Sequence, residues 1–109
     1  MPYDTASPPP IAAQSNALRT LLRLSELHPQ LPGAYVVSHG LEPNRIDVQL
    51  NSPSSLEAWR EALNAPTDSV KSRPLDAKTQ LEISAEVGSV TVRVYAIFVS
   101  GGADGRECS

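Results

Sequence analysis

The alternation of apolar and polar residues is strongest near the C-terminal end of the chain, where it predicts a β-hairpin. Every second residue is apolar over 81–87, and the alternation resumes one step out of phase over 90–98. Gly88-Ser89 separates the two runs, and glycine at the first position of a two-residue loop is typical of a type II′ turn. Such a loop places the apolar residues of both strands on one side of the sheet. The predicted register pairs Val87 with Val90, Ala85 with Val92, Ile83 with Val94 and Leu81 with Ala96.

Apolar residues at helical spacing predict two helices. The first spans 11–28, and Pro29 ends it because proline disfavours helical geometry in the residue before it. The second begins at Ser52-Pro53, a capping serine followed by a proline at the first helical position. Trp59 lies on the inner stripe of the second helix, where we expect it to pack on the sheet. The inner stripe of the first helix is predicted to contain Ala17, Leu18, Leu21, Leu22 and Leu24.

Two shorter strands are predicted over 34–39 and 45–50, joined by a short reversal. The order helix, strand, strand, helix, strand, strand predicts an α+β fold with a four-stranded, mainly antiparallel sheet and both helices on one face. The segment 67–78 is polar, contains the only concentration of basic residues, and is predicted to be a long loop.

The last predicted strand carries an unusual outer face. Arg93, Tyr95, Ile97 and Val99 point away from the helices, and three of the four are more apolar than a solvated face requires. We therefore expect this face to be covered, either by another part of the chain or by a partner.

Composition narrows the possibilities. The 109 residues suit one domain, predicted over 11–99, with disordered tails over 1–10, which is proline-rich, and 100–109, which is glycine-rich. A net charge of −3 argues against a general polyanion binder, because affinity for nucleic acid comes largely from cations. The single cysteine, Cys108, is predicted to be an exposed thiol. The chain has neither a signal-like start nor a membrane-length apolar run, so we predict a cytoplasmic protein.

No motif for catalysis, metal binding or cofactor binding is recognisable. The two histidines, His28 and His39, do not have the spacing of a metal pair, and no glycine-rich phosphate cradle follows a strand. One hypothesis is nevertheless a small hydrolase in which His39 is the general base, with an acid such as Asp47 and a serine brought close by the fold. The main prediction is a protein that is not an enzyme and has no cofactor or metal.

Several segments give the chain a resemblance to a known group. The run from His28 to Pro32 before the Tyr35 strand, the segment 56–63 (LEAWREAL) and the hairpin over 81–94 resemble small α+β proteins of actinobacteria and their phages. The resemblance covers about residues 17–99. It implies the fold and a source, and the phage-like context of these proteins favours a regulatory or host-interaction role, with no activity established for the group.

The leading hypothesis is a non-enzymatic protein-binding module of regulatory or adaptor type, with homodimerisation as one form of it. Binding is predicted through Tyr95, Ile97 and Val99, an apolar contact surface. An acidic partner is expected to be selected by four cations, namely Arg93 and the loop residues Lys71, Arg73 and Lys78. The alternative is a nucleic-acid-binding regulator that uses the basic segment 67–78. No small-molecule substrate and no membrane contact are predicted.

Overall fold

The computed structural model describes residues 9–99, which form two α-helices and one five-stranded sheet. In chain order the elements are α1 (Ser15–Leu27), β1 (Tyr35–Ser38), β2 (Arg45–Leu50), α2 (Pro53–Ala62), β3 (Lys71–Leu75), β4 (Lys78–Val87) and β5 (Val90–Val99). The α+β class is confirmed. The predictions for residues 1–8 and 100–109, including the thiol of Cys108, lie outside the described residues.

The sheet order is β1-β2-β5-β4-β3, and this corrects the predicted sheet in two respects. It has five strands instead of four, and β2 pairs with β5 in parallel, so the sheet is mixed. After α2 the chain forms β3 and β4 on the outer side, and β5 then returns to the centre beside β2. Turn signals report only neighbouring strands, so the sequence pattern could not reveal this long-range pairing.

The central hairpin has the predicted register. All four predicted pairs, from Val87 with Val90 to Leu81 with Ala96, are present in β4 and β5. Gly88 has φ +63°, and Ser89 is not in the positive-φ region. A type II′ turn requires a positive φ at its first central residue only, as found here. Glycine is therefore needed at the first loop position and not at the second.

The predicted loop over 67–78 is wrong in most of its length. Residues Thr67–Ser69 form a short 3₁₀ turn, and Lys71–Leu75 form the edge strand β3, antiparallel to β4. Four of the five residues of β3 are exposed, so the strand has no buried apolar face that alternation could reveal. Asp76-Ala77 forms the two-residue connection, with Asp76 at φ +53°, a conformation that aspartate tolerates better than most residues.

The helices begin close to the predicted points but differ in detail. Residues Ile11–Gln14 form a 3₁₀ turn before α1, and Leu18 and Leu22 are exposed, not on the inner stripe. Ser52 caps α2 by accepting a hydrogen bond from the Ser55 backbone N–H at 3.2 Å.

The end of α2 has a signal that the sequence analysis missed. Asn64, at φ +60°, ends the helix, and the two backbone bonds from Ala65 to Arg60 and from Asn64 to Glu61 form a Schellman motif.

One core lies between the helices and the sheet. Both helices contribute to it, and the buried apolar residues of the sheet come from the same side of β2, β4 and β5. Trp59 is buried, as predicted, and its indole N–H donates to the Pro32 carbonyl at 3.0 Å. The buried apolar residues are Ala17, Leu24, Ile46, Val48, Leu50, Leu56, Trp59, Ala65, Ile83, Val90, Val92, Val94 and Ala96.

Candidate binding face of the sheet

The open face is the side of the sheet opposite the two helices. Alternate residues of a strand point to alternate sides, so the register determines which side chains share this face. They are Tyr35 and Val37 of β1, Arg45, Asp47 and Gln49 of β2, Thr91, Arg93, Tyr95, Ile97 and Val99 of β5, Lys78, Gln80, Glu82, Ser84 and Glu86 of β4, and Lys71, Arg73 and Leu75 of β3. Within residues 9–99, no helix packs on the open face.

All seven predicted contact residues lie on the open face. Six of them belong to three rows that cross from β3 to β5, and Arg93 belongs to the next row. The rows are Lys71, Glu82 and Tyr95; Arg73, Gln80 and Ile97; Leu75, Lys78 and Val99. Leu75 was not predicted as a member of the site, because segment 67–78 was expected to be a loop, and Gln80 was not predicted either.

One end of the open face combines apolar and basic side chains. The apolar patch consists of Leu75, Ile97 and Val99, of which Val99 is 60% exposed. The basic patch consists of Lys71, Arg73 and Lys78, all exposed. Neighbouring strands lie about 5 Å apart, so residues two strands apart are within about 10 Å of each other. The two patches are therefore interleaved in space.

Arg93 is engaged within the protein. Its Nε donates to Glu82 Oε2 at 2.7 Å and its Nη2 to Glu82 Oε1 at 3.2 Å, while Gln80 donates to the same carboxylate at 3.1 Å. The guanidinium also lies 5.0 Å from the centre of the Tyr95 ring. Arg93 is thus an internal counter-ion, unlike the three exposed cations.

Asp47 is the most buried charge of the open face. Its side chain is 12% exposed, and Arg45 donates to both carboxylate oxygens, at 3.0 Å and 3.1 Å. His39 Nε2 lies 3.0 Å from Oδ2, and Arg93 Nη1 lies 3.8 Å from the same oxygen. These contacts join β2, β5 and β4 into one ion-pair network, whose members are Asp47, Arg45, His39, Arg93 and Glu82.

The ion-pair network stabilises the ionised forms of the Asp47 and Glu82 carboxyl groups. Burial raises the pKa of Asp47, but hydrogen bonds from Arg45 and His39 outweigh it and hold the pKa below its ordinary value. The Arg93 guanidinium lowers the pKa of Glu82 in the same way, against a smaller opposing effect of burial. Both carboxylates therefore bind protons less readily in the folded chain than in the unfolded chain.

The lowered pKa values predict acid-sensitive stability. The two carboxylates stabilise the fold fully above their unfolded pKa values of about 4, and this contribution is lost as pH falls through the lower folded values. We expect urea midpoints to be nearly constant from pH 7 to about 5 and to fall at lower pH. The double variant Asp47→Asn, Glu82→Gln should be less stable at pH 7 and show a flatter profile. If the urea midpoint of the double variant fell as steeply at low pH as that of the unaltered chain, the acid sensitivity would not come from these two carboxylates.

The geometry does not support a hydrolase around His39. Its Nε2 is directed at Asp47, but Ser38, the adjacent serine, points to the helix side, where its Oγ accepts a bond from Gln14 at 2.7 Å. Asp47 is in turn bound by Arg45. Residues 9–99 contain no cluster of three histidine, cysteine or acidic residues that could hold a metal ion. The hydrolase hypothesis therefore stays a prediction in which the adjacent Ser38 cannot act as the nucleophile of His39.

Comparison with protein-family models, curated proteins and solved structures finds no match to this chain. The resemblance to actinobacterial and phage proteins therefore stays a prediction. In the described part of the chain, no helix combines the length and apolarity needed to cross a membrane.

Proposed function

We propose that the chain is a non-enzymatic protein-binding module whose open face binds an acidic segment of a partner protein through the apolar and basic patches. The observation that carries the proposal is the position of Ile97 and Val99 beside Lys71, Arg73 and Lys78 on one uncovered side of the sheet. Apolar side chains supply burial, and the surrounding cations select the charge of the partner.

The charge distribution supports an acidic partner. Within residues 9–99, Lys71, Arg73 and Lys78 form no salt bridge, whereas Arg45 and Arg93 are each paired with carboxylates. The three cations lie at the β3 and β4 end of the face, where Glu82 is bound by Arg93 and also lies within the electrostatic reach of Arg73. A carboxylate from a partner would thus meet cations that hold no carboxylate in direct contact.

The same geometry disfavours the nucleic-acid alternative. Recognition of single strands on a sheet uses exposed aromatic rings on which bases stack. Here Arg93 lies over the Tyr95 ring, and Asp47, Glu82 and Glu86 place negative charge on the same face. The exposed ring of Tyr35 lies at the β1 edge, at the other side of the sheet from the three cations of the basic patch, so the face does not combine stacking rings with free cations in one place.

A peptide-display selection against the immobilised full chain tests the proposal. We expect enriched peptides to contain acidic residues next to large apolar ones, and Ile97→Asp to weaken their binding about tenfold or more, because it places a charge in the apolar patch. Replacing Lys71, Arg73 and Lys78 together by glutamine should weaken binding and reduce its salt dependence. Fluorescence anisotropy with a labelled peptide gives both affinities.

Leu41→Asp is the matched control, because Leu41 is 69% exposed and lies in the β1–β2 connection outside the two patches. It should bind the peptides as the unaltered chain does. Peptides without acidic residues, or equal losses in Leu41→Asp and Ile97→Asp, would overturn the proposal. Tight binding of a labelled oligonucleotide with a steep salt dependence would instead support the nucleic-acid alternative.

A further inference from the structure

We propose that the free edge of β1 pairs with the β1 strand of a second copy of this chain, so that one sheet runs through a two-fold symmetric dimer. This surface differs from the open-face patches, which lie towards the opposite edge of the sheet. The dimer and the partner-binding function therefore stand or fall separately.

The hydrogen-bonding direction of β1 follows from the parallel pair beside it. The Thr91 N–H donates to the Asn44 carbonyl at 2.8 Å, so the even-numbered residues of β2 direct their backbone groups towards β5. The odd-numbered residues of β2 must then bond to β1. Their partners are Tyr35 and Val37, so Val36 and Ser38 direct both backbone groups away from the sheet.

These outward groups are unsatisfied by the described chain. Within residues 9–99, no hydrogen bond reaches the outer backbone groups of Val36 or Ser38. Strand β1 also carries no proline and no charged side chain. Natural proteins use such residues to prevent sheet edges from pairing with other chains. The β1 edge lacks both of them.

The opposite edge of the sheet, formed by β3, is protected against pairing with another chain, and we call it the guarded edge. In β3, Lys71, Arg73 and Leu75 bond to β4, because the connection at 76–77 makes Leu75 and Lys78 a hydrogen-bonded pair. The outward positions are Ser72 and Pro74, and proline has no N–H to offer. Pro74 thus interrupts the outer edge without removing a bond from the sheet, and two cations flank Ser72.

A second copy fits the β1 edge because the strand is self-complementary. In an antiparallel pair with Val36 on the two-fold axis, the outward N–H and C=O groups of the two Val36 residues bond to each other. Tyr35, which is 68% exposed, then lies opposite the partner's Val37 on the open-face side. Aromatic residues opposite β-branched ones stabilise sheets, and this register forms the contact twice without opposing like charges.

Sedimentation equilibrium of the full chain over a range of concentrations tests the dimer. We expect a concentration-dependent dimer and a rise in its dissociation constant of about tenfold or more in Val36→Pro, which removes an outward donor as Pro74 does in β3. Tyr35→Lys should act similarly by placing a cation on each strand at the junction. Ser72→Pro makes the same backbone change at the guarded edge and should leave the dimer intact.

Amide hydrogen exchange gives a readout that global unfolding would not produce. Protection of the Val36 and Ser38 N–H groups should rise with concentration, whereas Val37, which bonds to β2, should be protected throughout. A chain that is monomeric at high micromolar concentration would overturn the proposal. So would a dimer that survives both Val36→Pro and Tyr35→Lys while circular dichroism shows them folded.

Discussion

Trp59→Ala is expected to lower the free energy of unfolding by about 4 kcal/mol, the typical cost of truncating a buried tryptophan. Trp59 is buried between α2, the segment before β1 and the sheet, so its removal leaves a cavity at the junction of three parts of the core. For a domain of this size the melting temperature should fall by about 20 °C. Urea denaturation followed by circular dichroism measures the change, since the variant has no tryptophan fluorescence.

Trp59→Phe separates the two contributions of the indole. It keeps an aromatic ring but removes the N–H that donates to the Pro32 carbonyl at 3.0 Å. We expect a loss of about 1–2 kcal/mol, because the hydrogen bond is lost and the cavity is small. If Trp59→Phe were as damaging as Trp59→Ala, the hydrogen bond would be the main anchor of α2. If both were nearly neutral, the side chain would not be a core residue.

The elements predictable from sequence are those with a buried and an exposed side. Strands β4 and β5 alternate between the core and the open face, so apolar spacing determined both their extent and their register. Strand β3 is an edge strand with exposed residues on both sides, and its turn at Asp76-Ala77 has no glycine. Neither of the usual signals was present, so it was predicted to be a loop.

The candidate site was predictable as a face but not as a network. Alternation alone placed Arg93, Tyr95, Ile97 and Val99 on one side, and the structure adds Lys71, Arg73 and Lys78 to that side through β3. The predicted hairpin register pairs Ser84 with Arg93, so Glu82 and Glu86 lie diagonal to Arg93. Only the parallel pairing of β2 with β5, however, brings Asp47 opposite Arg93, and no local pattern encodes such a pairing.

The open face therefore has two regions with different electrostatics. In one, Asp47, Arg45, Arg93 and Glu82 neutralise each other and connect three strands. In the other, the basic patch lies beside the half-buried Leu75 and Ile97 and the exposed Val99, and its side chains form no salt bridge within residues 9–99. Internal pairing of Arg93 removes it from the set of residues that we expect to select an acidic partner.

Asp47→Ala tests the first of these regions and is expected to cost about 2 kcal/mol of unfolding free energy, less than for a fully buried ion pair. The change leaves Arg45 and Arg93 close together without the carboxylate that both approach, and Asp47 is only 12% exposed. The two guanidinium groups that remain are only partly solvated, at 35% and 30% exposed, and they repel each other once the carboxylate is gone. Urea denaturation at pH 7 measures the loss.

Glu42→Ala is the matched control, because Glu42 also pairs with Arg45, at 2.8 Å, but is 60% exposed. Its loss should cost less than about 1 kcal/mol, as for other surface ion pairs. Equal effects of the two substitutions would show that burial of Asp47 does not strengthen the network. Under conditions in which circular dichroism shows Asp47→Ala to be folded, this variant should bind the selected acidic peptides as the unaltered chain does. The reason is that Asp47 lies outside both the apolar and the basic patch. Loss of peptide binding in the folded variant would move the binding site from the patches to the ion-pair network.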